Sequence, residues 1–533
     1  MSRVSWRMEE SNKVDGAGVE NGGAVGARRR RASPPTYRLY KQRWAVLVTV
    51  TILNISNASL WINLAPVATK AAEYYKMDVE AINWFSLVYL YASIPFCFIS
   101  TFSVNALGLR AAIHIGSAMN CLGGVIRAVS TSGLITPLHA QYAVGLTGQT
   151  IAGMAQSFLL FIPTKVSQLW FPEHARVVST TILALSNPLG IMVAQISSPL
   201  IVQATSLAFL NYVFGGVALL AQLFTLVCIT RSKPPTSPSQ SAERGDKARA
   251  PYLQQLKETF TCGPYILLLL AMGCGVGIFN CLATVTQQFL CPLGYDDVFS
   301  GMSNGVMILS GFVGSAITGI LADRTKAFAP ITLIGYGFAS ISAIVMMELF
   351  MVPGQPVLVA LFMGLFGFFG VGAYPIGLEL SVETTFPVEE SISTAFIFMS
   401  GQVQGVIIIA MVTLLARDPK SVYEDIEVCT HGPDSNILPK DYTVSLMAMM
   451  AMLAIIVSIT ITFLRTPYKR LEAEQASSSL NSSNSSSSHS LTATPSYTSE
   501  NVNGVDTSTK RSMITETPWP DEEEKSEIVQ SHL

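Results

Sequence analysis

Ionisable side chains are scarce where this chain is most apolar, and those few limit the chemistry open to it. Inside the long hydrophobic stretches stand His114, Arg127, Glu348, Glu379 and Glu383. A charge buried in hydrocarbon is costly, so such a group ordinarily marks a proton relay, an ion pair or a gate. Glu379 and Glu383 are spaced i, i+4 and share one helical face. That spacing suits pairing with arginines of nearby loops, such as Arg324, better than proton carriage. Glu348 falls near the end of its stretch, and the lone His114 reads as a hydrogen-bonded interior residue. The eight cysteines are scattered without metal-ligand spacing. No glycine-rich phosphate loop ending in Lys-Ser/Thr is present, which argues against ATP drive. An enzyme, a metal centre and a resident cofactor are therefore not expected, and neither is nucleic acid as a partner.

The elements that must carry these groups are membrane helices. Of 533 residues, 50% are hydrophobic and only 13% are charged, against roughly 25% charged in a soluble domain. Three stretches are plainly polar: 1–43, 232–259 and 466–533. The remainder accommodates twelve spans of about 20 residues. They fall near 44–68, 82–104, 109–130, 138–163, 176–203 and 207–230, then near 262–290, 299–322, 328–351, 356–381, 391–416 and 441–465. Backbone groups in hydrocarbon must be satisfied internally, so the spans are helices and the fold class is all-α. Gly364, Gly367, Gly370 and Gly372 in the tenth span favour close helix packing.

The expected organisation is a basic amino-terminal tail (1–43), a six-helix bundle (44–231), a linker (232–259), a second six-helix bundle (260–465) and a Ser-rich tail (466–533). Arg28, Arg29, Arg30, Arg31, Arg38, Lys41 and Arg43 precede the first span. Arg231, Lys233, Arg244, Lys247, Arg249 and Lys257 lie in or beside the linker, and Arg465, Lys469 and Arg470 follow the last span. The loops near 131–138, 204–207 and 291–298 hold no Lys or Arg. The positive-inside rule then makes both termini and the linker cytosolic. No cleavable signal peptide is expected, because the first 43 residues have no apolar core. Cys97, Cys121, Cys228, Cys262, Cys274 and Cys281 read as buried small hydrophobes. Cys291 and Cys429 fall in non-cytosolic loops and are expected as free thiols, with a disulfide between them as the alternative. The sequons at Asn54, Asn57, Asn481 and Asn484 lie in a span or a cytosolic tail and should be unused. Residues 474–499 are too polar to fold, and Arg30-Arg31-Ala32-Ser33 resembles a basophilic kinase site. The terminal Ser531-His532-Leu533 resembles a peptide for strand addition to a PDZ-type domain.

Two short loops sharpen the fold. Gly319-Ile-Leu-Ala-Asp323-Arg324-Thr325-Lys326 stands between the eighth and ninth spans, and Asn105-Ala-Leu-Gly108-Leu-Arg110 stands at the equivalent place between the second and third. Both resemble the cytosolic loop that major facilitator superfamily transporters carry in each half. A repeated six-helix unit is what that fold requires. Asp323 is expected near a helix amino terminus, where the dipole favours an anion, with Arg324 pairing to it or to a neighbouring helix and so latching the bundles. Asn105 occupies the acid position of the first copy, which weakens that latch.

Longer motifs narrow the resemblance. Asn57-Ala-Ser-Leu-Trp61, Asn83-Trp84-Phe-Ser86-Leu-Val-Tyr89, Gln168-Leu-Trp170-Phe171-Pro172 and Tyr374-Pro375-Ile-Gly377-Leu-Glu379-Leu-Ser-Val-Glu383-Thr-Thr-Phe-Pro387 resemble the feline leukaemia virus subgroup C receptor-related family. The likeness covers about residues 38–465, and the pattern is most similar to the orphan branch of that solute-carrier group. Better-studied members are described as haem exporters and as facilitative choline and ethanolamine transporters. The resemblance implies a mid-membrane cage of aromatic and glutamine side chains, whose positions fall here on Trp61, Gln156 and Gln402. A further aromatic position falls on Asn280. A quaternary ammonium leans on aromatic faces worth roughly 0.5–2 kcal/mol each, so an amide there weakens that term and suits a hydrogen-bonding solute. Trp61 alone would equally read as an interfacial anchor, since it lies roughly 25 Å into its span at 1.5 Å per residue. Gln156 and Gln402 alone would read as polar glue between helices.

The expected protein is thus a monomeric, multi-pass solute transporter, with the plasma membrane favoured and the lipid bilayer and a small organic solute as its partners. It is expected to work as a uniporter of a choline- or ethanolamine-like amine, or of a haem-related solute. The alternatives are a proton-coupled carrier, and a transporter-shaped receptor, scaffold or sensor.

Overall fold

The computed structural model describes residues 39–236, 251–418 and 440–472. The arginine run 28–31, linker residues 237–250, Cys429 and the tail from 473 onward, with the terminal Ser531-His532-Leu533, lie outside the described residues. Each apolar stretch satisfies its backbone in the one way hydrocarbon permits, by coiling into a helix. The described residues hold no strand, only an isolated bridge between Arg417 and Asp441.

The first half begins with α1 (Gln42–Ile62), a 3-10 turn (Ala65–Val67) and α2 (Ala68–Tyr75). It continues through α3 (Val79–Ala106), α4 (Leu109–Ser130), α5 (Leu138–Leu160), α6 (Ile162–Trp170), α7 (Glu173–Ala204) and α8 (Leu207–Cys228). The second half comprises α9 (Tyr252–Thr261), α10 (Gly263–Leu290), α11 (Asp297–Thr325), α12 (Phe328–Leu349), α13 (Pro356–Phe366), α14 (Gly372–Thr385), α15 (Glu390–Leu415) and α16 (Thr443–Phe463). With α1–α2, α5–α6 and α13–α14 taken as interrupted crossings, the chain crosses twelve times. Eleven of these crossings are long and apolar enough to span a bilayer on that ground alone. The twelfth, α5, is 23 residues long but less apolar, because Gln141, Gln149 and Gln156 are buried in it.

Local chemistry sets several ends and interruptions. Asp296 caps α11 by accepting from the Phe299 amide at 2.9 Å, as N-cap acids do. Gly108 starts α4 with φ +84°, a left-handed conformation that disfavours any side chain. The sequence expectation of an uninterrupted first span is corrected by the break after α1. The tenth crossing is also interrupted: Gly367–Val371 forms a π-helical turn between α13 and α14. Gly367 lies so near the Met307 carbonyl of α11 that a Cβ would collide with it. The glycines there serve both close packing and unwinding. The linker is not wholly irregular either, since α9 falls within it.

The halves meet through α7 against α11 and α3 against α15. One apolar core runs across them, containing Trp61, Tyr89 and Leu90 together with Ile278, Cys281 and Ile408. On the face opposite the linker, polar groups also tie the halves. Asn83 and Gln288 exchange amide hydrogen bonds of 2.6 and 3.2 Å, and the Tyr442 hydroxyl donates to Gln288 Oε1 at 3.2 Å. Burial, then the nearby Glu80 carboxylate, raises the Tyr442 phenol above its ordinary pKa, so it stays a donor. Lys70 pairs with Asp297 at 3.4 Å, Gln287 donates to Thr69 and Asp297 at 3.1 and 2.9 Å, and Lys440 pairs with Glu80.

Candidate solute site

The residues expected to form a central cage are all buried: Trp61 is 3% exposed, Gln156 2%, Asn280 4% and Gln402 2%. Each sits on a different crossing, on α1, α5, α10 and α15 respectively. Trp61 spends its indole N–H on the Ser86 carbonyl of α3 at 3.1 Å. What remains to offer a solute is its ring face, which attracts cations. Gln156 Oε1, Asn280 Nδ2 and Gln402 Oε1 are buried without a hydrogen-bond partner. Native interiors rarely leave such atoms alone, and each calls for an explanation.

Gly405, one turn beyond Gln402, shows how these elements converge. A Cβ there would lie 3.2 Å from Asn280 Nδ2 of α10 and 3.5 Å from Leu90 of α3. Asn280, the α15 segment bearing Gln402 and the α3 segment next to Tyr89 therefore meet at the contact between the halves. Gln156 belongs to the first-half wall, where α5 presses on α3 with Ser157 donating to the Ser93 carbonyl at 2.9 Å. The structure does not join the four side chains by direct hydrogen bonds. Two come from each half, and between them they leave two acceptors and one donor without a protein partner.

The loop motifs behave differently from expectation. Asp323 lies in the last turn of α11, a helix carboxyl end, and not near an amino terminus. It is exposed and pairs with Lys326 of its own loop at 3.9 Å, while Lys326 closes the helix in the left-handed conformation. Arg324 is solvent-exposed, and Gly319 approaches nothing closely. In the first copy, Gly108 fits under Ser232, whose hydroxyl accepts from the Arg110 amide at 3.1 Å. Asn105 closes the last turn of α3, and its side chain falls outside the described residues. Among the described residues, no ion pair or hydrogen bond from either loop reaches the other half.

Glu379 does pair with an arginine outside the spans, but it is Arg470 and not Arg324. The partners of Glu379 and Glu383 belong to the segment after α16. Arg470 lies 3.9 Å from Glu379 and 3.2 Å from Glu390, and the Leu471 amide donates to Glu383 at 3.0 Å. The tie between halves on the linker face is instead Lys165 to Glu389 at 3.2 Å, with Gln255 of α9 accepting from the Glu389 amide at 3.0 Å. Phe98 and Phe396 pack beside it, ring centroids 5.6 Å apart. Cys291, expected as a free thiol, is disulfide-bonded, whereas Cys97, Cys121, Cys228, Cys262, Cys274 and Cys281 are free. Cys429, the partner weighed as the alternative, lies outside the described residues.

His114 hydrogen-bonds the Ile229 carbonyl at 2.9 Å, near the start of α4. Sequence reasoning gave no role to Asn83 and Gln288 of the opposite face. The adjacent amides Gln287-Gln288 inside an apolar stretch were the available signal. Lys165 and Glu389 had none, because their partnership spans 224 positions.

Comparison with known proteins agrees with this architecture. Residues 49–411 match the model of the Major Facilitator Superfamily. Solute carrier family 49 member A3 of Xenopus tropicalis is 34% identical over 82% of this chain and 90% of its own length. The choline/ethanolamine transporter FLVCR2 of Homo sapiens is 27% identical over 69% of this chain and 71% of its own. The crystal structure of a D-xylose-proton symporter superposes with a TM-score of 0.59, at 13% identity, over 80% of this chain and 98% of the symporter. Two six-helix halves and matches over most of the chain lead to one assignment: the chain belongs to the major facilitator superfamily and, within it, to the solute carrier 49 family of feline leukaemia virus subgroup C receptor-related transporters.

Proposed function

We propose that the protein is a facilitative carrier of a small choline- or ethanolamine-like amine, working by alternating exposure of one central site. The observation that carries this is the set of unpartnered buried atoms Gln156 Oε1, Asn280 Nδ2 and Gln402 Oε1 around the free ring face of Trp61. An ammonium would take the ring, and the amides would take the polar remainder of the solute. Relatives whose names declare choline and ethanolamine transport support that class. In orientation, the linker face is cytosolic with both termini, the plasma membrane is the working membrane, and the protein acts as a monomer. The Cys291 disulfide supports this placement, since disulfides persist on the oxidising side.

The test is uptake and efflux of labelled choline, ethanolamine and haem in proteoliposomes. Saturable amine flux should appear, and Trp61→Ala and Gln402→Ala should each lower it about tenfold or more at unchanged protein level, as losing about 1.4 kcal/mol of binding would. Asn280→Tyr should tighten choline binding about threefold or more, consistent with one added aromatic face. Absence of amine flux, or a Trp61→Ala variant that merely loses abundance beside an indifferent Asn280→Tyr, would sink the proposal.

A further inference from the structure

The first membrane helix breaks one residue past Trp61, and two side chains from other helices hold the break. A helix end leaves its last carbonyls without internal partners, and in hydrocarbon no water replaces them. Here α1 stops at Ile62, and the carbonyls of Leu60 and Trp61 are taken up from outside. Gln149 of α5 places Nε2 3.1, 3.1 and 2.9 Å from the Leu60, Trp61 and Phe85 carbonyls, its two N–H groups shared among the three. Arg127 of α4 donates through Nη1 to the Leu60 carbonyl at 2.8 Å and to Gln149 Oε1 at 2.6 Å, which fixes the amide's orientation. Its Nη2 reaches Asn63 Oδ1, just past the helix end, at 3.0 Å and Asn211 Oδ1 at 2.9 Å. The guanidinium also stands 5.7 Å from the centre of the Phe85 ring.

Arg127 is 1% exposed and Gln149 is fully buried. Every hydrogen-bond acceptor of Arg127 is neutral, so this is a buried cation held without a carboxylate. A cation beside the carboxyl end of a helix is stabilised by the helix dipole, and α1 supplies such an end. The same place fixes Trp61 twice, through its carbonyl on Gln149 and through its indole N–H on Ser86, the residue after Phe85.

We infer that Arg127 and Gln149 form a clamp on the break in α1 and are positioning residues for Trp61, setting the angle at which its ring meets the solute. The inference rests on the proposed role of Trp61, and its test separates the two. In full-length protein with Trp6, Trp44, Trp84, Trp170 and Trp519 changed to Phe, Trp61 becomes the sole tryptophan emitter. Gln149→Ala and Arg127→Gln should each shift Trp61 emission to longer wavelength and increase quenching by acrylamide. They should raise the transport KM about tenfold, equivalent to about 1.4 kcal/mol, with maximal flux per folded protein changed much less. Arg127→Lys keeps the charge but not the fork, and should fall between wild type and Arg127→Gln. Lower abundance with unchanged KM and unchanged Trp61 emission would overturn the clamp, leaving both residues as packing. If Trp61→Ala leaves KM untouched, the solute role of Trp61 fails, while the emission arm still decides whether the clamp exists.

Discussion

An amide left one bond short in a hydrocarbon-surrounded interior costs about 1–3 kcal/mol, and Gln156, Asn280 and Gln402 each have a buried atom without a protein partner. They differ in what they ask for: two offer an acceptor and Asn280 offers a donor. The positions of Trp61, Gln156 and Gln402 were legible only through family resemblance, because isolated glutamines in apolar stretches look like interhelical glue. Their lack of partners is a property of the fold and has no sequence signature. Lys165 and Glu389 were illegible for a related reason, since only the folded chain brings them together. Their pair is mostly shielded from solvent, so it should matter more than a surface ion pair. Lys165→Glu is expected to slow flux several-fold by pushing the linker-face ends of the halves apart. Combining it with Glu389→Lys should restore flux to within about twofold, as a coupled pair does in a double-mutant cycle. Flux per surface-labelled molecule is the measurement, and equal losses in the single and double variants would argue against the pair as a tie.

Helices were the most readable level. Hydropathy marks where crossings lie, because the bilayer imposes both their length and their internal hydrogen bonding. It does not mark where a crossing is interrupted. The break after Ile62 and the π-helical turn at Gly367–Val371 depend on what neighbouring helices supply, namely donors from α4 and α5 in one case and a bare glycine surface against α11 in the other. The loop motifs misled for the same reason: Asp323 ends one helix where a start was expected. On the face opposite the linker, α3 and α10 are joined by the Asn83–Gln288 amide pair. Asn83→Ala and Gln288→Ala should each loosen that closure by about 1 kcal/mol. Site-resolved mass spectrometry of maleimide labelling should then show the native Cys281 of α10 reacting about fivefold faster from that face, the ratio that such a change produces. Unchanged labelling would show that the amide pair does not hold the face shut.

At the scale of the molecule, twofold repetition was visible in the paired loops and the spacing of spans, and the superfamily match and the structural superposition bear it out. The distribution of charge bears on coupling. Glu379 and Glu383 are engaged with the segment after α16, and His114 with a backbone carbonyl at the base of α4. With these three engaged elsewhere, none of them offers a proton carrier to the proposed site. Flux should run down the solute gradient in either direction, persist when a protonophore collapses the pH gradient, and survive His114→Ala. Concentrative uptake abolished by the protonophore would establish coupling instead. The polar ladder opposite the linker has one more consequence. A carrier that has delivered its cargo must part Lys70 from Asp297, Glu80 from Lys440 and Asn83 from Gln288 before it faces that side again. Opening toward that face therefore costs those contacts, whether or not cargo is aboard.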